Sequence, residues 1–393
     1  MSKSIAFITW DGAEANYLEG LFLPIFKNMQ TQFGYEFHIL QFSWQSAEKV
    51  AKLQQLAADY GFHYLHFDVA TKPIASIAKY YSLFKQYFAV KNYLNQYKVD
   101  WVMPRSTMPA LLLNQIKLSN SKLVFDADGL AIEEKVDFEG LSTSSFLYKL
   151  YKNAEKRAIQ KADKVIVRTA KAIQHFEKDG HDKNKFHIVL NGKNEAFFKP
   201  IDYDQLAALR TELGLAEKAK IFLYCGSIGK QYRPDIMFQI FDNYLAQNPQ
   251  AIFVILTASK HLITPFIHDK NRANILIKKV ENAQVPLYIN AADICFGIRQ
   301  YSYSMQGVSP IKLGEYLLCG TPIIASKGIG DTDEILANLA GVYLIDNDNF
   351  DMQTLLDFIH HIDKSKVQTA LSYRGKQYYS LQLAAASYHA ALS

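Results

Sequence analysis

The residues able to do chemistry collect at a few places where glycine or proline also interrupts the chain. Trp10-Asp11-Gly12-Ala13-Glu14 sets two acids around a glycine that allows a tight turn. Asp11 and Glu14 can offer carboxylates to a ligand, or simply favour the start of the next helix. Phe125-Asp126-Ala127-Asp128-Gly129 contains an Asp-x-Asp pair, one way to hold a divalent metal through oxygen ligands. The reading preferred here is a carboxylate at Asp128 that binds or deprotonates a hydroxyl. Arg105, in Pro104-Arg105-Ser106, is then its partner, an anion contact or a solvated charge. Cys225-Gly226-Ser227-Ile228-Gly229-Lys230-Gln231-Tyr232-Arg233-Pro234 offers two glycines for close backbone approach. Lys230 and Arg233 follow, where a diphosphate at a helix N-terminus would lie. Ser309-Pro310-Ile311-Lys312-Leu313-Gly314-Glu315 starts a helix at Pro310 and places Lys312 and Glu315 three apart on one face. Glu315 can accept a pair of ribose hydroxyls and Lys312 can meet phosphate; the plain alternative is a surface salt bridge. Replacing Glu315 is accordingly expected to weaken ligand binding with little loss of stability. The eleven histidines show no ligand spacing, and no metal or cofactor site is expected.

Short apolar or β-branched runs alternate with helical stretches and must carry these residues. Strands are expected at Ser4–Thr9, Glu36–Phe42, Phe62–His66, Trp101–Pro104, Lys122–Phe125, Lys164–Val167 and Phe186–Leu190. A second series runs Ile221–Cys225, Ile252–Leu256, Ile275–Ile277, Ile294–Phe296, Pro322–Ala325 and Val342–Ile345. Such alternation implies an α/β protein with two doubly wound parallel sheets. Asn191-Gly192 and Pro200 punctuate the junction, and 380–392 reads as a helix added after the second sheet. Ligands in such sheets bind beyond the carboxyl ends of strands, where the motifs above lie.

Composition narrows the setting. The chain has 393 residues, 49% hydrophobic and 21% charged, enough for sizeable cores and against disorder. A net charge of +5 is too weak to argue for nucleic acid. Cys225, Cys295 and Cys319 are scattered and form no Cys-x-x-Cys pair, which points to a reduced, cytoplasmic setting. No signal-like segment opens the sequence, and no apolar run reaches the roughly 18 residues of a membrane span. The stretch 74–98 mixes Tyr80, Tyr81, Phe84, Tyr87, Phe88, Tyr93 and Tyr97 with Lys79, Lys85, Lys91 and Lys98. It reads either as a helix packed on the sheet or as a peripheral contact with the inner face of a membrane.

At these motifs the sequence resembles the two-domain GT-B glycosyltransferases, and within them the large retaining family 4. Ala162-Asp163-Lys164-Val165-Ile166, Asn191-Gly192 and Phe198-Lys199-Pro200 are similar to that family's passage into its second domain. Val285-Pro286-Leu287-Tyr288 through Ala292-Asp293-Ile294 resembles another of its helices, and Ser309–Ile324 its donor segment in members from polysaccharide clusters. The resemblance implies two Rossmann-like domains facing a cleft: an acceptor domain over 1–195, joined by a C-terminal helix over 377–393, and a donor domain over 196–376. It implies transfer of a sugar from a nucleotide-sugar to a saccharide or lipid-linked acceptor in bacterial surface-glycan synthesis, retaining and metal-independent. Gly226, Ser227, Lys230, Arg233, Ser309, Lys312 and Glu315 would bind the donor; Asp128, Glu14, Asp11 and Arg105 would serve the acceptor side. Two departures stand out. Gly307 occupies the place of the family's first glutamate, and Ser227 that of its arginine. The donor sugar and its nucleotide (uridine, guanosine or cytidine) are left open. A sugar-nucleotide epimerase or hydrolase of related fold and a non-catalytic nucleotide-binding subunit are the alternative readings.

Overall fold

The computed structural model describes residues 3–72, 75–202, 205–216 and 219–393. The chain forms two compact units. The first comprises residues 1–190, 306–308 and 381–393; the second comprises 191–305 and 309–380. The sequence placed these junctions at 195/196 and 376/377. The helix Lys364–Tyr379 lies in the second unit because it packs along the helix Ile311–Leu318. Gly314 and Gly375 make that packing close: a Cβ on Gly314 would meet the Tyr379 ring at 2.4 Å, and one on Gly375 the Leu318 amide at 2.7 Å.

The first unit holds seven parallel strands: β1 (Ser4–Asp11), β2 (Glu36–Ser43), β3 (His63–Asp68), β4 (Trp101–Pro104), β5 (Lys122–Asp128), β6 (Lys164–Val167) and β7 (Phe186–Ile188). Their order is β3-β2-β1-β4-β5-β6-β7, so the winding reverses between β1 and β4. Alternation along β1 serves two cores. Ala6 and Ile8 join the face covered by Leu83, Val90, Ala110 and Ala158, whereas Phe7 packs on Phe22 and Phe26. The closing helix Leu381–Leu392 covers this second face, with Tyr388 against Phe26.

Six parallel strands build the second unit: β8 (Ile221–Cys225), β9 (Ile252–Leu256), β10 (Ile275–Lys278), β11 (Ile294–Gly297), β12 (Ile323–Ser326) and β13 (Val342–Ile345). The order β10-β9-β8-β11-β12-β13 reverses between β8 and β11. Ile221, Leu223 and Cys225 face one core and Phe222 and Tyr224 the other, which is why these strands read as continuous apolar runs. All three cysteines are buried free thiols.

Two local expectations change. β5 runs to Asp128, so the Asp-x-Asp pair belongs to the strand and does not follow it. The expected helix over 74–98 is two helices, Ala75–Lys85 and Tyr87–Tyr97, broken at Gln86; Ile74 lies outside the described residues.

Candidate functional site

At the carboxyl ends of β1, β4, β5 and β6 the first unit gathers three carboxylates and two guanidiniums. A register shift between Asp126 and Asp128 marks a bulge, and Asp128 takes a φ of +64°, uncommon for a residue with a side chain. The bulge re-aims the Asp128 carboxylate. Arg105 Nη2 donates to Asp128 Oδ2, and Arg168 Nε donates to Asp128 Oδ1 at 3.2 Å. Arg168 Nη2 also donates to Asp126 Oδ2 at 2.7 Å and to the Tyr388 hydroxyl at 3.2 Å. Both guanidiniums flank Phe22, at 4.8 Å for Arg105 and 6.0 Å for Arg168. Asp11 accepts Gln41 Nε2 at 2.7 Å and lies within the field of Arg105. Burial pushes the Asp11 and Asp126 carboxyls up. Burial acts the same way on Asp128, but Arg105 and Arg168 outweigh it and hold that carboxyl below its ordinary range. Asp128 is also the most exposed of the three acids, its side chain one-third accessible. It is therefore an anionic hydrogen-bond acceptor, poorly suited to taking up a proton.

The second unit builds its site at the β8 and β11 ends. Gly226 follows β8 with a φ of +145°, a conformation that side chains disfavour. Tyr224 Oη donates to the Ser227 carbonyl at 2.6 Å and pins the loop. A Cβ on Gly226 would lie 3.6 Å from Lys312 Cε, so the glycine loop and the first turn of Ile311–Leu318 come together. Glu315 is buried between two cations: Lys312 Nζ reaches Oε2 at 2.8 Å and Lys193 Nζ reaches Oε1 at 2.9 Å. Burial would raise this carboxyl, but the two lysines pull it down to about 2. A carboxylate has about four acceptor positions, so Glu315 keeps capacity for further hydroxyls. On the neighbouring strand end, Arg299 stacks 4.7 Å over Tyr232 and donates to its hydroxyl at 2.9 Å.

The structure thus joins Gly226, Lys312 and Glu315 in one unit, and Asp11, Arg105 and Asp128 in the other. Ser309 stands at the same helix start, where its carbonyl accepts Asn191 Nδ2 at 2.9 Å. Arg233 grips Asp235 through both carboxylate oxygens at 2.9 and 3.0 Å, which compensates the charge assigned to phosphate. Lys230 is exposed, and among the described residues no contact ties it to Lys312 or Glu315. Glu14 is exposed in the turn after β1, outside the carboxylate–guanidinium network. Sequence reading missed Arg168, Lys193 and Arg299. Arg168 directly follows β6 and Arg299 closely follows β11, a signal that inspecting every strand-end loop would have caught. Gly307 has a steric cause: a Cβ there would lie 2.8 Å from both the Leu130 amide and Leu130 Cγ. Thr169 Oγ1 holds this segment by donating to the Gln306 carbonyl at 2.8 Å. A glutamate at 307 does not fit that packing.

Residues 205–377 match the family model described as Glycosyl transferases group 1, a span that contains Gly226, Arg299, Lys312 and Glu315. HepE of Anabaena in complex with UDP-glucose is similar over 99% of both chains, with a TM-score of 0.71 and 16% identity. Sucrose-phosphate synthase from Thermosynechococcus elongatus matches with the same score and identity, over 99% of this chain and 98% of its own. Through its group 1 domain the chain is a glycosyltransferase. The enzyme also resembles WaaG, a glycosyltransferase involved in lipopolysaccharide biosynthesis, at a TM-score of 0.68, 16% identity and 98% of each chain. At such identities the likeness shows the fold, two Rossmann-like α/β domains of the GT-B kind. A search of curated proteins finds no match.

Proposed function

We propose that the enzyme transfers a sugar from a nucleotide-sugar donor, held by the second unit, to a saccharide or lipid-linked acceptor presented by the first. The observation that carries this reading is the Glu315 carboxylate, kept anionic by Lys193 and Lys312 beside the Gly226 loop. An anionic acceptor next to cations and a glycine loop suits a ribose and its phosphates. The complex of HepE with UDP-glucose makes a uridine diphosphate sugar the first donor to test. Phosphate charge would be met by Lys312 and Arg299 together with the helix start at Pro310, and Lys230 is free to join them.

Metal independence is part of the proposal, supported by Arg168, which already bridges Asp126 and Asp128 and supplies the cation that a metal would. Retention of configuration is supported by the pairing of Asp128, since inverting displacement needs a competent base and this carboxylate is held below its ordinary range. Asp128 then orients the acceptor hydroxyl. A role in assembling a bacterial surface glycan at the cytoplasmic face of a membrane fits the likeness to WaaG and the aromatic, basic helices of 75–97. No helix among the described residues is long and apolar enough to cross a membrane, so this contact would be peripheral.

Thermal-shift and calorimetric titrations with UDP, GDP and CDP test the donor assignment. One nucleotide should bind at one site, with equal affinity in EDTA. Failure of all three to bind would refute it.

A further inference from the structure

The loop that follows β11 carries Tyr301 out into water, with 54% of its surface exposed. The backbone beneath it is pinned on both sides. Arg299 N donates to Ser326 Oγ at 3.0 Å, and Asn347 Nδ2 donates to the Arg299 carbonyl at 2.6 Å, which ties the loop to the end of β12 and the turn after β13. Gln300 N donates to the Gln231 carbonyl at 2.9 Å, and Gln300 Oε1 accepts Arg233 Nη1 at 3.3 Å, which ties it to the glycine loop. Tyr301 itself has a seat. Gly328 takes a φ of +77°, and a Cβ there would lie 2.7 Å from Tyr301 Cδ2 and 2.8 Å from Cε2. Glycine alone leaves room for the ring to rest on that backbone.

A tyrosine fixed in this way offers a large contact area at low entropic cost. Its neighbours leave the ring face as the main means of recognition. Gln300 Nε2 donates to the Tyr301 carbonyl at 3.0 Å, its Oε1 is taken by Arg233, and residues 297–305 contain no acid. A ligand at this place meets an aromatic surface and no carboxylate. Such a surface suits a sugar, whose ring offers apolar C–H on its face and hydroxyls around its rim.

Position decides which part of a donor reaches it. The winding of the second sheet reverses between β8 and β11, where ligands of such sheets lie. In a nucleotide-sugar the phosphates join the ribose on one side and the transferred sugar on the other. Glu315 takes the ribose side and Arg299 meets phosphate in the reading above. Tyr301 stands two residues past Arg299, at most about 7 Å along the chain. The sugar side is therefore within its reach.

We propose that Tyr301, seated on Gly328, is the platform on which the apolar ring face of the donor's glycosyl group stacks. This rests on the donor reading above and names a specificity residue for the glycosyl half of that donor.

Calorimetric titration of wild type, Tyr301→Ala, Tyr301→Phe and Gly328→Ala with UDP, UDP-glucose and UDP-N-acetylglucosamine tests it. If the titrations above select GDP or CDP, its sugar conjugates replace those of UDP. Tyr301→Ala should weaken the sugar nucleotide that wild type binds by roughly 3- to 10-fold, the scale of one aromatic contact, and leave the free nucleotide as in wild type. Tyr301→Phe should recover most of that loss, because the ring makes the contact. Gly328→Ala forces the ring off its seat and should reproduce the loss with the tyrosine still present. Each titration is run well below the melting temperature of the variant, measured alongside. Equal weakening of free nucleotide and sugar nucleotide in Tyr301→Ala overturns the proposal, because the ring would then hold the nucleoside. Unchanged sugar-nucleotide affinity in Tyr301→Ala overturns it too, and with free nucleotide still bound it sinks this inference alone. Full sugar-nucleotide affinity in Gly328→Ala overturns the role of the seat. Wild type that binds no nucleotide refutes the donor reading, and this subsite with it.

Discussion

Glu315→Gln tests the donor site in two ways at once. The wild-type carboxyl has a pKa of about 2 against an ordinary 4.5, because Lys193 and Lys312 outweigh the burial that would raise it. A carboxylate depressed in the folded state stabilises above the unfolded value, and that contribution is lost as pH falls from about 4.5 towards 2. The difference amounts to about 3 kcal/mol at neutral pH. Glu315 is 2% exposed, so solvent screens little of it. The glutamine keeps the shape but leaves two ammonium groups facing a neutral amide. A loss of about 3 kcal/mol in a domain of this size lowers the melting temperature by roughly 6–12 °C. This corrects the sequence-based expectation that the residue could be replaced at little structural cost. Scanning calorimetry at pH 7 should show the drop, and Lys193→Met/Glu315→Gln should recover part of it, since it removes one orphaned charge along with its partner. The gap between wild type and Glu315→Gln should narrow as pH falls below about 4.5 and close only near pH 2 and below. Nucleotide affinity, measured well below either melting temperature, should fall roughly 10-fold or more through loss of a charge-assisted hydrogen bond. A variant that melts with wild type at pH 7 would show that the two lysine bridges contribute nothing, and the argument would fail.

The other outcomes concern the first unit and the metal. Asp128→Asn should lower turnover roughly 100-fold through lost orientation of the acceptor hydroxyl, with donor affinity unchanged by calorimetry; normal turnover with earlier melting would make Asp128 purely structural. Arg168→Met should cost about 3–5 kcal/mol in urea titrations, because Asp126 has no exposed surface and loses its partner; a wild-type midpoint would contradict that network. Gly307→Ala forces a methyl to 2.8 Å from the Leu130 amide and should destabilise by roughly 1–3 kcal/mol on thermal unfolding. Transfer should survive EDTA; complete loss restored by manganese or magnesium would return Asp126 and Asp128 to a metal role.

Much of the fold was legible because strand runs such as Ile221–Cys225 and Ile252–Leu256 are short, apolar and bounded by turn residues. The donor helix was equally legible, since Pro310 and Gly320 punctuate it. The site was legible in position but not in partnership. Lys193 meets Glu315 across more than a hundred residues, and Arg168 meets Asp126 across forty-two. No local spacing encodes such pairs. The β5 bulge was missed for a related reason. Asp126-Ala127-Asp128 reads as a loop because aspartates are rare in buried strands, and only the two arginines make it tolerable there. Arg233 neighbours the glycine loop in sequence, but its pairing with Asp235 two residues on was not read from that spacing.

The central claim is that a glycosyl group leaves a nucleotide and arrives on an acceptor. Proton NMR of a nucleotide-sugar incubated with enzyme and a membrane-extracted glycolipid fraction reads this most directly. Loss of the donor anomeric signal, matched by free nucleotide and by a new anomeric signal on the lipid fraction, is the predicted result. Free sugar or a C2 epimer as the only product, or an unconsumed donor with every nucleotide tested, would contradict it.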